Sequence, residues 1–125
     1  MSESVLSTKS YTFALRIIKL YQFMADERRE YVLSKQFLKS GTSIGANIEE
    51  SVHAQSKVDF VHKLSIAQKE ANETNYWLRL LKDAGYIEEK HAESFLTDCE
   101  EIQRLLTASI KTAKSNLKRV VTEQL

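Results

Sequence analysis

The run from Ser56 to Tyr86, SKVDFVHKLSIAQKEANETNYWLRLLKDAGY, constrains the chain most, because it spells one long helix with both ends marked. Phe60, Leu64, Ala67, Ala71, Thr74, Leu78 and Leu81 recur at alternating steps of four and three, which sets them on one stripe of an α-helix. Ser56 can accept from the backbone N–H three residues on, and Asp59 at that position adds a carboxylate suited to the positive helix start. Gly85 supplies a left-handed stop. A helix of about eight turns with one apolar stripe has to be covered by other helices, which is the arrangement of a bundle.

The rest of the chain can supply them. Proline is absent and glycine occurs three times in 125 residues, so little interrupts helix formation, and the length suits a single domain, residues 1–125, with a core over about 8–117. A first helix is predicted from Lys9 to Ala25, with Phe13, Ile17, Leu20, Tyr21 and Met24 on one face, breaking at the charged cluster Asp26, Glu27, Arg28, Arg29, Glu30. A second runs from Tyr31 to Ala54 with Leu33, Phe37, Ile44, Ile48 and Val52 inward and small residues Ser40, Gly41, Ser43, Gly45 and Ala46 in its middle. The fourth begins near Ile87 and reaches Leu117 along Ala92, Phe95, Cys99, Ile102, Leu106, Ser109 and Ala113. Short connections make sequential helices antiparallel, so the expected fold is an all-α, up-down-up-down four-helix bundle. Met1 to Thr8 and the last several residues are expected to fray.

Composition narrows the function classes. Eighteen lysines and arginines nearly cancel seventeen acids, so nucleic acid or an anionic membrane could be attracted only by local patches. Cys99 is alone on an apolar stripe, which fits a reducing compartment. No basic-then-apolar leader opens the chain, and about 18 apolar residues never run together, so a cytoplasmic protein without membrane partners is expected.

SGTSIGANIEES, Ser40 to Ser51, resembles the signature of the four-helix-bundle proteins encoded in intervening sequences of bacterial 23S ribosomal RNA genes. The block S-x-x-D-F followed by K-L-S-I-A-x-K-E-A-N-E-T-x-Y-W-L-x-L-L, Ser56 to Leu81, is similar to one branch of that family, and the resemblance extends over roughly residues 8–113. Gly45 stands where many members have proline, and Ser51 where many have glycine. The resemblance implies a homo-oligomeric ring, commonly a pentamer, and a relation to the accessory protein of diversity-generating retroelements, which is thought to bind RNA or DNA. It implies no established enzyme activity, and no cofactor is expected.

The residues themselves offer several candidate surfaces. On the long helix, Ile66, Trp77 and Ala84 lie beside the core stripe, and Val58, Tyr76 and Leu80 lie on the far side. They form a candidate oligomer interface, anchored by Trp77 and Tyr76, although scattered apolar residues are also ordinary surface. Gly41 and Gly45 have the spacing at which helix backbones approach closely. Ser43, Asn47 and Glu50 form one polar stripe, either a contact for a ligand or subunit, or a network that fixes register. Glu50-x-x-His53 and Glu88-x-x-His91 share the spacing of di-iron bundle ligands, but His91 opens its helix and no acid lies between Lys9 and Ala25, so no metal is expected. No nucleophile has a partner by sequence and no phosphate loop occurs, so no catalytic residue is assigned.

Charge placement is the remaining signal. From Glu88 to Glu101 six acids face one lysine, whereas Ile102 to Arg119 holds Arg104, Lys111, Lys114, Lys118 and Arg119 and no acid. The asymmetry matches a helix dipole, or it marks a basic surface. Lys111, Lys114 and Lys118 share one face. Over residues 9–39, Lys9, Arg16, Lys19, Arg28, Arg29, Lys35 and Lys39 are set against three acids, Asp26, Glu27 and Glu30. Phosphate contacts from Lys111, Lys114, Lys118, Arg119, Arg16, Lys19, Lys35 and Lys39 to structured RNA or DNA are therefore the favoured function. A protein-interaction scaffold, or accessory subunit, is the alternative.

Overall fold

Four helices carry almost the whole chain in the computed structural model, which describes residues 2–124: α1 (Ser2–Asp26), α2 (Leu33–Val52), α3 (Lys57–Asp83) and α4 (Glu89–Gln124). Strands are absent among the described residues. Each helix packs on its chain neighbours, and α1 meets α4 to close the bundle.

α3 forms between the two signals that predict it. Ser56 Oγ accepts the Asp59 N–H at 3.0 Å, and Asp59 Oδ2 accepts the Gln55 N–H at 3.3 Å. At the other end Gly85 has φ +83°. Its N–H donates to the Lys82 carbonyl at 3.0 Å, and the Tyr86 N–H donates to Leu81 at 2.9 Å, the paired bonds by which a left-handed residue closes a helix. Leu64, Ala67, Ala71, Thr74, Leu78 and Leu81 are buried as the stripe requires, and Phe60 is half-buried at its margin.

The other helices differ from expectation mainly at their ends. α1 begins at Ser2 instead of Lys9, because Leu6 and Ser10 extend the stripe of Phe13, Ile17, Leu20 and Met24 by the same threes and fours and are buried. The helix therefore includes residues 2–8, which were expected to fray, while Met1 lies outside the described residues. Tyr21 sits beside this stripe, half-buried. α4 continues past Leu117 to Gln124. Its stripe gains Leu96 and Ile110, while Ser109 and Ala113 are half-buried. α2 is shorter than predicted at both ends, and Val52, expected inward, is 50% exposed. Ser51 takes the inward position, and its hydroxyl donates to the Ile48 carbonyl at 2.6 Å.

The start of α2 has no Ser, Thr, Asp or Asn at its cap, and a glutamate upstream performs that role. Arg29 takes φ 52°, and the Glu30 N–H donates back to Met24 at 3.0 Å. The Glu30 carboxylate then accepts the N–H groups of Val32 (3.1 Å), Leu33 (2.9 Å) and Ser34 (2.7 Å), while Ser34 Oγ donates to the Glu30 carbonyl at 2.7 Å. Burial opposes the charge on Glu30, but the bonds from Leu33, Ser34 and Val32 outweigh it and hold its pKa below the ordinary value.

The seams between helices have distinct chemistry. Between α1 and α2, Gly41 lies against Ile17 so closely that a Cβ there would stand 2.8 Å from Ile17 Cγ2, while one on Gly45 would meet Ser10 Oγ at 3.4 Å. Between α2 and α3, the buried Thr74 hydroxyl lies 3.0 Å from Ser40 Oγ and 2.8 Å from the Glu70 carbonyl. Between α3 and α4, Asn75 Nδ2 donates to Gln103 Oε1 (3.3 Å), Gln103 Nε2 donates to Asn72 Oδ1 (2.8 Å), and Gln68 Nε2 donates to Thr107 Oγ1 (2.7 Å). α1 and α4 are joined by Lys9–Glu101 at 3.2 Å and by Arg16 with Asp98.

Two measurements follow. Gly41→Ala gains about 1 kcal/mol of helix propensity but drives a methyl into a β-branched side chain with little rotamer freedom, a strain of about 1–3 kcal/mol. It should lower the thermal midpoint, whereas Gly45→Ala, in ordinary contact, should hold or raise it. The reverse order in thermal unfolding would refute the close approach. Because the folded pKa of Glu30 is depressed, its carboxylate stabilises the fold above the unfolded value and ceases to do so as pH falls through the folded value. Glu30→Gln should therefore cost about 1–2 kcal/mol at neutral pH in urea unfolding, and the gap should shrink in acid. A gap that does not depend on pH would sink the assignment.

Candidate functional site

The basic end of α4 is the most clearly defined surface. Ile110 is the last core residue on α4 among those whose burial is described, and beyond it Lys111, Lys114, Lys118 and Arg119 are exposed. The lysines form no ion pair among the described residues, and Arg119 lies 3.9 Å from Glu123 one turn on. A dipole account of this charge does not fit the observed length of the helix. The C-terminal dipole acts within the last turn, and the last turn of α4 holds no basic residue.

The other basic residues do not form one patch with it. Lys19, Lys35 and Lys39 are exposed. Lys39 lies near Glu70, whose pKa stands above the ordinary value because burial and the neighbouring Glu73 outweigh the opposing pull of Lys69 and Lys39. Arg16 is half-buried and committed: its guanidinium donates to Asp98 and, at 3.0 Å, to Ser94, and it lies 4.0 Å from the centroid of the Phe95 ring. It joins α1 to α4.

The candidate interface on α3 divides in two. Val58, Tyr76 and Leu80 are exposed, by 63%, 48% and 37%, and Ala84 is exposed beside the closing turn. Ile66 is half-buried, and Trp77 packs against the core while its Nε1 donates to Glu73 Oε1 at 3.3 Å. The Tyr76 ring meets the Trp77 ring edge-on at 5.4 Å. Trp77 thus supports Tyr76 from behind. A second apolar face, which the sequence reading passed over, lies on α1: Tyr11, Leu15 and Ile18, spaced i, i+4 and i+7, are 68%, 48% and 39% exposed. The threes and fours were legible there, on the side of the helix away from the core stripe.

The polar stripe of α2 makes mostly local bonds. Ser43 Oγ donates to the Lys39 carbonyl at 2.6 Å, Asn47 Nδ2 donates to the Ser43 carbonyl at 2.8 Å, and Glu50, exposed, accepts from Lys63 Nζ of α3 at 3.0 Å. His53 and His91 are exposed, and among the described residues no three His, Cys, Asp or Glu side chains group as metal ligands. Cys99 is buried, its Sγ donates to the Ala71 carbonyl at 3.4 Å, and burial pushes its thiol up to about 12, the opposite of what a thiolate nucleophile needs. No described helix is long and apolar enough to cross a membrane.

A single core of four stripes, with polar chemistry confined to helix ends, seams and outer faces, defines the class as a four-helix bundle protein. The chain belongs to the family described as 23S rRNA-intervening sequence protein, whose family model matches residues 3–108. It is similar, at 53% identity over 89% of this chain and 99% of the other, to a crystal structure from Bacteroides thetaiotaomicron, described as a protein with unknown function from the S23 ribosomal protein family; the TM-score is 0.87. Comparison with curated proteins gives no match.

Proposed function

We propose that this protein is a non-enzymatic, cytoplasmic, up-down-up-down antiparallel bundle that assembles with its own copies into a ring, a pentamer being favoured, and binds structured RNA or DNA through α4. The antiparallel order is supported by the pairing of residues across the seams: Lys9 with Glu101 but Arg16 with Ser94, and Gln68 with Thr107 but Lys82 with Glu93. The ring is supported by two different exposed apolar faces, on α1 and on α3, since contact between unlike faces generates a ring when the rotation closes.

The observation that carries nucleic-acid binding is the stripe of Lys111, Lys114 and Lys118 with Arg119, exposed beyond the last core residue and outside the reach of the helix dipole. Mobile lysines on a helical face suit phosphates, which need charge and little geometry. Repetition around a ring would turn one stripe into a band. A protein-interaction scaffold is the second reading, favoured by the exposed Tyr11, Leu15 and Ile18 should they remain uncovered in the assembly.

The test is fluorescence anisotropy with labelled structured RNA and duplex DNA at two salt concentrations. The wild type should bind and weaken steeply with salt, and Lys111→Glu, Lys114→Glu and Lys118→Glu together should lessen the slope by roughly 0.9 per lost phosphate contact on duplex DNA. Binding unaltered by the three reversals would refute the site, and no binding at low salt would move the assignment to the scaffold. For assembly, Tyr76→Glu with Leu80→Glu probes the α3 face better than Trp77→Ala, which would also open the core. The pair should yield a smaller particle by light scattering with unchanged helical circular dichroism; an unchanged mass would exclude this face as the interface.

A further inference from the structure

Where α1 ends and α4 begins, the seam between them opens into a cavity of about 360 Å³, lined in part by Leu20, Phe23, Ile87 and Phe95. Leu20, Ile87 and Phe95 are each less than a tenth exposed, so the hollow reaches the core, and Phe23 forms a wall that is 40% exposed. The mouth has the opposite chemistry. Three cations, Arg16, Lys19 and Arg28, line it against a single acid, Glu88.

These cations differ in what else they do. Arg16 is spoken for by Asp98 and Ser94, whereas Lys19 and Arg28 make no ion pair among the described residues. Arg28 lies 5.5 Å from the centroid of the Phe23 ring, which holds its charge at the rim. Along the same seam, cross-helix ion pairs neutralise Lys9 and Arg16 of α1. Lys19 and Arg28 have no such pair among the described residues, so an apolar hollow sits beneath two unpaired cations with one acid, Glu88, beside them.

We infer that this cavity binds a small amphiphilic anion, a flat ring system carrying one carboxylate or phosphate. The ring system enters between Phe23 and Phe95, where aromatic edges and faces reward a planar guest. The anionic group stays at the mouth, where Arg28 can take it by two parallel N–H donors and Lys19 by charge. The volume lies at the small end of the range for ligand pockets, which admits one or two fused rings and leaves a long acyl chain outside. The site is independent of the proposed nucleic-acid surface: Phe95 and Lys111 are sixteen residues apart on α4, roughly 24 Å along the helix.

The test is a titration followed by ¹H–¹⁵N NMR with three probes: 2-naphthoate, adenosine monophosphate, and the uncharged 2-naphthalenemethanol. Naphthoate should shift the amides of Lys19, Ile87 and His91 saturably, and the neutral alcohol should bind at least five-fold more weakly. Lys19→Ala with Arg28→Ala, both exposed positions, should erase the difference between acid and alcohol. Saturable shifts by the nucleotide at the same amides would make the natural anion a phosphate, and shifts by naphthoate alone a carboxylate; either supports the site. Equal affinity for naphthoate and the alcohol in the wild type, or no saturable shift with either anion at millimolar concentration, would overturn it.

Discussion

The closeness with which α2 approaches both of its neighbours sets the dimensions of this bundle. Its middle turns carry no large side chain toward either seam: Gly41 receives Ile17 of α1, and Ser40 meets Thr74 of α3, hydroxyl to hydroxyl, at 3.0 Å. Between these two contacts Phe37, Ile44 and Ile48 point into the common core without exposure. A glycine in a helix interior costs about 1 kcal/mol relative to alanine, and here the close seam it permits provides the compensation. The buried hydroxyl pair has a different role. Each hydroxyl also has a backbone carbonyl within reach, Glu70 for Thr74 and Phe37 for Ser40, so neither leaves an unsatisfied polar atom, and together they fix the register of α2 against α3.

Much of this was legible in the sequence because helices advertise themselves by periodicity and by their caps. α3 could be bounded almost to the residue, since Ser56, Asp59 and Gly85 act through local backbone chemistry that depends on nothing distant. The first turns of α1 were missed for the converse reason. Val5 and Leu6 are adjacent apolar residues in an otherwise polar run, and only burial against other helices reveals that Leu6 is the one that belongs to the stripe. Glu30 was read as one charge in the cluster at which the first helix breaks. No sequence rule for caps anticipates a carboxylate that folds back over the next helix from beyond a left-handed arginine, because that geometry depends on how α1 ends.

Surface function was less legible, and the residues say why. Periodicity separates inward from outward positions but not half-buried from exposed ones, so Trp77 and Tyr76, adjacent in sequence, were both read as anchors, whereas one supports the other. Arg16 counted as a free cation until Asp98, Ser94 and Phe95 met it from a helix eighty residues away in sequence. Formal charge is additive along a sequence. Available charge depends on which acids the fold brings near.

That distinction gives the two halves of α4 different standing. Three of the six acids from Glu88 to Glu101 are used: Glu93 holds Lys82, Asp98 holds Arg16, and Glu101 holds Lys9, so each of these ties α4 to a neighbouring helix. In the second half the only ion pair is Arg119 with Glu123 within the same helix, among the described residues. Exposed pairs of this kind stabilise a fold little, so the acids serve mainly to orient α4, and losing one would be tolerated. The lysines past Ile110 have no such structural task and lie where the core has ended. A row of like charges on one helical face is mildly unfavourable in isolation, and the fold does nothing to relieve it. Dissolved salt screens such a row and an anionic partner would relieve it further, which is the physical basis for placing the proposed phosphate contacts at this end of the molecule and not at the acidic one.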